Sequence, residues 1–261
     1  KLPEWLKNGF LGIVVVGVVL FLIIEKGVVS GFFEEGQDNL DYIIVLGAQV
    51  RENGPSVVLK YRLDRAIDYL EENHTVWVLS AWQIVVKRYP SLCEKIKITT
   101  WPYAFRRFMG SRNFTMEDAD GKVIAYANSI WTYLNTETGL PVNVSKEQQE
   151  AYRLEEKFPM DYASRKITFG KEYIKHDSFC VRPHHLDTNH HVNNGQYVAM
   201  ACEYVPENFE IGQMRAEYKG QAVLGDIIIP MVHEEKGIYT VALCNEAGEP
   251  YAIVELKEKE E

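Results

Sequence analysis

Between His184 and Asn194 the chain reads His-His-Leu-Asp-Thr-Asn-His-His-Val-Asn-Asn. A carboxylate, an amide and an imidazole stand at alternate positions: Asp187, Asn189 and His191. In an extended segment alternate side chains share one face, so this spacing predicts three polar groups pointing one way. Such a set can take a proton, hold a water and polarise a carbonyl. Imidazole exchanges protons near neutral pH, which makes His191 the candidate acid–base group. Asp187 can orient that ring or take a proton from water. Asn189 can hold the water or donate to an oxyanion. Backbone amides at the start of the following helix, near Asn193 and Asn194, offer an oxyanion hole. The competing reading is that these residues only cap the helix.

The elements that must hold this loop are read from apolar period and turn residues. Strands are expected at 76–86, 94–101, 104–113 and 121–134, with Met116 to Asp120 as turn residues. Ser145 starts a helix with Gln148 as capping-box partner, and this polar stretch links two halves. A strand near 173–183 leads into the loop, and a helix runs from about Asn194 to Tyr204. Strands follow near 209–221, 226–234, 237–245 and 250–257, with Asn245 to Pro250 as a hairpin turn. Upstream, Tyr42 to Leu46 reads as a buried strand. A helix from Ser56 to about Asn73 carries Leu59, Leu63, Ala66, Ile67 and Leu70 on one stripe.

Asp-x-Asn-x-His-Val-Asn-Asn followed by an aromatic resembles the signature of plant and bacterial acyl-ACP thioesterases. Trp77-Val78-Leu79-Ser80-Ala81-Trp82-Gln83, Ile98-Thr99-Thr100-Trp101-Pro102, Arg106-Arg107-Phe108 and Asp118 to Lys122 resemble their first half. Glu217-Tyr218-Lys219-Gly220 through Asp226 resembles their second, and the likeness covers roughly residues 76–261. It implies an α+β, double hot-dog fold, an antiparallel sheet wrapped around a helix, twice. It also implies catalysis by Asp187, Asn189 and His191 on fatty acyl chains carried by acyl carrier protein, with no cofactor and no metal. The family's Glu falls at Gln221 and its Cys at Ala222, so attack by water, not by a thiol, is implied. Residues 41–73 instead resemble the start of YdcF-like or SanA-like membrane-anchored envelope proteins, with a join near Asn73-His74.

These likenesses divide the chain into 1–38 (anchor and linker), 39–75 (foreign strand–helix), 76–144 (rest of the first half), 145–165 (linker) and 166–261 (second half with the site). The uncharged run Gly9 to Ile24 is short for a spanning helix, but Trp5, Lys7, Glu25 and Lys26 flank it as interfacial anchors. A signal peptide or a buried strand are the alternatives. Net charge is −9 with no Lys/Arg tract, which argues against nucleic acid. Four scattered cysteines form no C-x-x-C pair, and the His pairs 184–185 and 190–191 fit no zinc spacing. Lys87, Arg88, Arg106 and Arg107 are candidates to face an acidic carrier protein; ordinary solvated strand charges are the alternative. The expectation is an acyl-ACP hydrolase in fatty acid biosynthesis, cytoplasmic or held to the membrane, as a monomer or homodimer. An acyl-CoA hydrolase and an inert membrane-anchored fusion are the alternatives.

Overall fold

Runs of β-branched and aromatic residues favour a pleated, half-buried surface, and most of this chain is spent on such runs. A computed structural model describes residues 74–259, together with the backbone of 50–51 and 54–55. The short strands β1 (Val50–Arg51) and β2 (Gly54–Pro55) pair antiparallel. Then come β3 (Thr75–Val86), β4 (Lys97–Arg106), β5 (Met109–Glu117), β6 (Val123–Asn135) and helix α1 (Lys146–Ala151). The second half holds β7 (Ile174–Lys175), β8 (Phe179–Cys180), helix α2 (Asn194–Cys202), β9 (Ile211–Tyr218), β10 (Ile227–Glu235), β11 (Ile238–Cys244) and β12 (Pro250–Glu258). The apolar run from Gly9 to Ile24, the strand at Tyr42–Leu46 and the helix from Ser56 lie outside the described residues. Among the described residues no helix is long and apolar enough to cross a membrane.

Apart from the β1–β2 pair, the described strands form one antiparallel sheet in the order β4-β5-β6-β3-β9-β12-β11-β10-β7, with β8 also on β10. From either edge inward the order repeats: β4-β5-β6-β3 mirrors β10-β11-β12-β9. The expected two sheets are therefore one, because β3 pairs with β9 from Ala81↔Glu217 to Val85↔Gln213. The doubling lies in topology, not in residue identity.

The strand expected near 173–183 is two short strands, β7 and β8, and β4 and the α1 cap also differ from expectation. A break was expected near Pro102, yet β4 runs through it, and the chain turns at Arg107 with φ 57°. Proline is tolerated there because β4 is the outermost strand and its register shifts between Pro102 and Ala104. In α1, Ser145 does cap the helix, accepting from the Gln148 amide at 3.0 Å. The Gln148 side chain does not reach back to it; its amide donates to the Tyr133 hydroxyl.

After α1 the chain crosses the sheet as an extended strap, held by polar side chains from successive strands. On β4, Trp101 Nε1 donates to the Glu156 carbonyl at 2.8 Å. On β5, fully buried Asn113 accepts from the Phe158 amide at 3.1 Å and the Tyr162 hydroxyl at 3.0 Å. On β3, buried Gln83 donates to the Asp161 carbonyl and accepts from the Ala163 amide, both at 2.9 Å. On β9, buried Glu217 accepts from the Ile167 amide at 3.0 Å. Ile167 and Phe169 then pack on Ala242, Cys244 and Ile253.

The larger core lies under α2. Tyr197, Met200 and Ala201, at helical spacing, bury against Ala216, Leu243, Val254 and Leu256. Cys202 is half-buried beside them, and all four cysteines are free.

Candidate active site

Carboxylates and amides compete locally for backbone N–H groups, and a short run rich in them prefers a turn to a strand. Asp187 shows this. Its Oδ1 accepts from the amides of Asn189 at 2.8 Å and His191 at 3.3 Å. The Asp187 amide donates to the His191 carbonyl at 2.8 Å, and the His190 amide to the Asp187 carbonyl at 3.1 Å. His190 takes a left-handed φ of 61° to close the loop. The segment is thus a tight turn between the bridged residues Leu186 and Val192, not an extended run. Alternate spacing does not align the three side chains. The turn commits one Asp187 oxygen to backbone.

Upstream, Pro183–His185 forms one 3-10 turn, and the Arg182 amide donates to His185 Nδ1 at 3.0 Å. Burial pushes the His185 imidazole pKa down, with the charges of His184 and Arg182 acting the same way. Neutral His185 therefore carries its proton on Nε2.

The turn docks on a second segment. His191 bridges Val223, and the Val192 amide donates to the Ala222 carbonyl at 2.9 Å. The backbone of Ala222–Val223 therefore runs beside His191–Val192. Asp187 and His191 are half-buried, while Asn189 and Gln221 are exposed. Ala222 is 0% exposed and faces the core, so a side chain there does not look into the site.

Of the two amides expected as oxyanion donors, one is committed to backbone. The Asn193 amide donates to the His185 carbonyl at 2.9 Å, which removes it as a donor to substrate. Asn193 Oδ1 caps α2 through the Gly195 amide at 2.8 Å. The Asn194 amide, first of the helix, has no intrahelical acceptor and sits at the positive end of the helix dipole.

Three tyrosines and an aspartate not singled out by sequence complete the surroundings. The Tyr197 hydroxyl accepts from the Ala222 amide at 2.9 Å, and the Tyr218 hydroxyl donates to the Asn194 carbonyl at 3.1 Å. Asp226 Oδ2 accepts from the Val223 amide at 3.0 Å and the Tyr251 hydroxyl at 2.9 Å. Burial raises all three phenols, and Tyr251, also beside the Asp226 carboxylate, is pushed up to about 12. They remain protonated at neutral pH. Sequence carried one signal for them: a tyrosine on an apolar stripe needs a partner for its hydroxyl.

The four basic residues considered for a carrier protein do not form one patch. Arg88 pairs with Glu94 at 2.6 Å and Asp118 at 3.3 Å, and Lys87 Nζ lies 5.3 Å from the Tyr126 ring centre. Arg106 and Arg107 sit at the β4–β5 turn, exposed. The Lys87 amide bonds to Ile124 and the Phe108 carbonyl to Tyr133. Ile124 and Tyr133 stand nine positions apart on β6, about 30 Å at strand rise.

Comparison with known proteins finds one family on both halves of the chain. The acyl-ACP thioesterase N-terminal domain model matches residues 57–152, and the C-terminal domain model matches 170–255. The first match takes in residues 57–73, so the thioesterase likeness begins before the expected join near Asn73-His74, and the envelope-protein likeness finds no support. An oleoyl-acyl carrier protein thioesterase of Arabidopsis thaliana is 26% identical over 179 residues, 62% of this chain and 48% of that protein. An acyl-[acyl-carrier-protein] hydrolase of Cuphea viscosissima is 26% identical over 196 residues, 68% of this chain and 47% of that protein. The chain spans about half the length of the curated relatives it matches. Among solved structures, an acyl-ACP thioesterase from Bacteroides thetaiotaomicron superposes with a TM-score of 0.66 at 24% identity, covering 80% of this chain and 93% of that one. The 12:0-ACP thioesterase from Umbellularia californica gives 0.62 at 18%, covering 83% and 95%. These likenesses show the fold, a thioesterase hot-dog type with a large antiparallel sheet and few helices.

Proposed function

We propose that this chain, a member of the acyl-ACP thioesterase family by both of its domain models, hydrolyses the thioester of acyl carrier protein and releases free fatty acid. The observation that carries the reading is the Asp187–Asn194 turn laid beside Gln221–Val223 at the N-terminus of α2. His191 takes a proton from water as its oxygen bonds to the acyl carbon. The carbonyl oxygen becomes an oxyanion facing the Asn194 amide and the Asn189 side chain. As the carbon–sulfur bond breaks, His191 returns the proton to the leaving thiolate. Gln221, exposed and two residues before the Val223 that bridges His191, orients the water but cannot take its proton. Asp187 contributes by holding the turn.

In the test, the purified chain is incubated with acyl-ACP and, in parallel, with acyl-CoA, and free fatty acid is measured by mass spectrometry. Preference for acyl-ACP is expected, with His191→Ala lowering turnover about 100-fold. Unchanged turnover in that variant would remove the site assignment. Turnover confined to acyl-CoA would change the substrate, and no turnover in the parent chain would favour an inert member of the family. The same proposal keeps Gly9 to Ile24 as a membrane anchor, supported by its lack of charge and by flanking Trp5 and Lys26. Extraction of the expressed chain from membranes by alkaline carbonate would refute an integral anchor.

A further inference from the structure

The geometry points to Tyr197 as a positioning residue for the hydrolysis, acting through Ala222 to set the spacing between the α2 N-terminus and Gln221. This inference rests on the proposed site. Ala222 has both backbone groups committed to the loop–helix unit: its N–H to the Tyr197 hydroxyl and its carbonyl to the Val192 amide, each at 2.9 Å. One residue before Ala222 stands Gln221; three residues before Tyr197 stands Asn194. The oxyanion donor and the water-orienting amide are thus carried by two backbones joined through a phenol ring. A second tie runs the other way, from the Tyr218 hydroxyl on β9 to the Asn194 carbonyl at 3.1 Å. The Tyr197 and Tyr218 ring centres lie 6.3 Å apart.

Burial gives the tie its weight. Tyr197 is 1% exposed and Ala222 0%. Water has no access to replace the hydroxyl, and an aromatic ring is a stiff spacer with two side-chain torsions. Without the hydroxyl, the Ala222 amide must find another acceptor, and the Gln221–Val223 segment shifts against the helix. A misplacement of about 1 Å in such a site costs on the order of 100-fold in rate.

The experiment compares Tyr197→Phe, Tyr218→Phe, His191→Ala and the parent chain with acyl-ACP, recording kcat, KM and melting temperature. Gly170→Ala, remote from the site, serves as a variant that is destabilised without touching the tie. For Tyr197→Phe we expect kcat to fall about 10–100-fold with KM within twofold, while Gly170→Ala keeps both constants. Tyr218→Phe should fall in the same sense and by less, because its bond is the longer one. A Tyr197→Phe kcat within twofold of parent, alongside a His191→Ala loss of 100-fold, would overturn this inference and leave the site standing. An equal kcat loss in Gly170→Ala would also overturn it, by showing that the rate follows stability alone. Full turnover in His191→Ala would instead overturn the site itself.

Discussion

Replacing Asp187 separates two roles that the sequence leaves fused, chemistry at the thioester and construction of the turn. The carboxylate accepts two backbone N–H groups through one oxygen, at 2.8 Å from Asn189 and 3.3 Å from His191. Hydrogen bonds to a charged group contribute about 1.5–3 kcal/mol each. Here the second is long and the residue is only half-buried, so Asp187→Ala should cost about 2 kcal/mol in all. Asp187→Asn keeps an oxygen acceptor in the same place and should cost under ~1 kcal/mol. At about 2–4 °C per kcal/mol for a domain of this size, the melting temperature falls about 4–8 °C for Ala and less than ~4 °C for Asn. If the carboxylate only builds the turn, Asp187→Asn keeps kcat within about tenfold, while His191→Ala loses 100-fold or more. Calorimetry and acyl-ACP turnover on the same samples decide it. An Asp187→Asn variant as inactive as His191→Ala, with its melting temperature unchanged, would refute the turn-building reading and give the charge a part in proton transfer.

Three other outcomes follow from particular contacts. Ala222→Ser should destabilise by about 1–3 kcal/mol, because the hydroxyl enters a fully buried position, while exposed Gln221→Ala should leave stability alone and lower kcat modestly; chemical denaturation and turnover check both. A Cβ on Gly170 meets the His233 ring at 2.4 Å, and that ring is held by its Nδ1 contact with the Glu172 carbonyl. Gly170→Ala should therefore cost about 1–3 kcal/mol, and the cost should shrink when His233→Ala is made in the same chain. The hydrogen bonds from Arg88, with help from the Ser91 amide, hold the Glu94 carboxyl down to about 2, below its ordinary value of 4.5. A depressed carboxyl stabilises above its unfolded value, and that contribution is lost as pH falls towards the folded one. The melting-temperature gap between parent and Arg88→Gln should be constant above pH ~5 and close between pH 4.5 and 2; a gap that widens on acidification would refute the pairing.

The strands were legible because Val, Ile and aromatic residues at period two mark a pleated, half-buried surface, and most predicted ranges fall within a few residues of those found. The β4–β5 turn was missed because proline normally ends a strand, and only the strand's place at the sheet edge excuses it. The loop was legible in residue type but not in shape. Alternation predicts a shared face only while the backbone stays extended, and the Asp187 carboxylate bends its own backbone. The Asn193 amide looked available from sequence, since nothing there shows that the His185 carbonyl reaches it. The basic pairs at 87–88 and 106–107 look alike as text, and only the sheet register places them at opposite ends of β6.

The strap was the least legible feature, for a physical reason. Gln83, Asn113 and Glu217 each read as an ordinary polar residue on a strand, to be turned to solvent. All three are buried, and the backbone of 158–167 supplies their partners. The pairing of β3 with β9 has a similar consequence on the other face. Trp82 of β3 packs against the cluster that contains Tyr197 and Met200 of α2. The half that carries Asp187, Asn189 and His191 does not close its core alone, because a side chain from the other half completes the wall beneath its helix. A site built this way depends on both halves although its polar residues come from one, and that dependence is why a motif within 184–194 cannot be judged apart from the sheet that seats it.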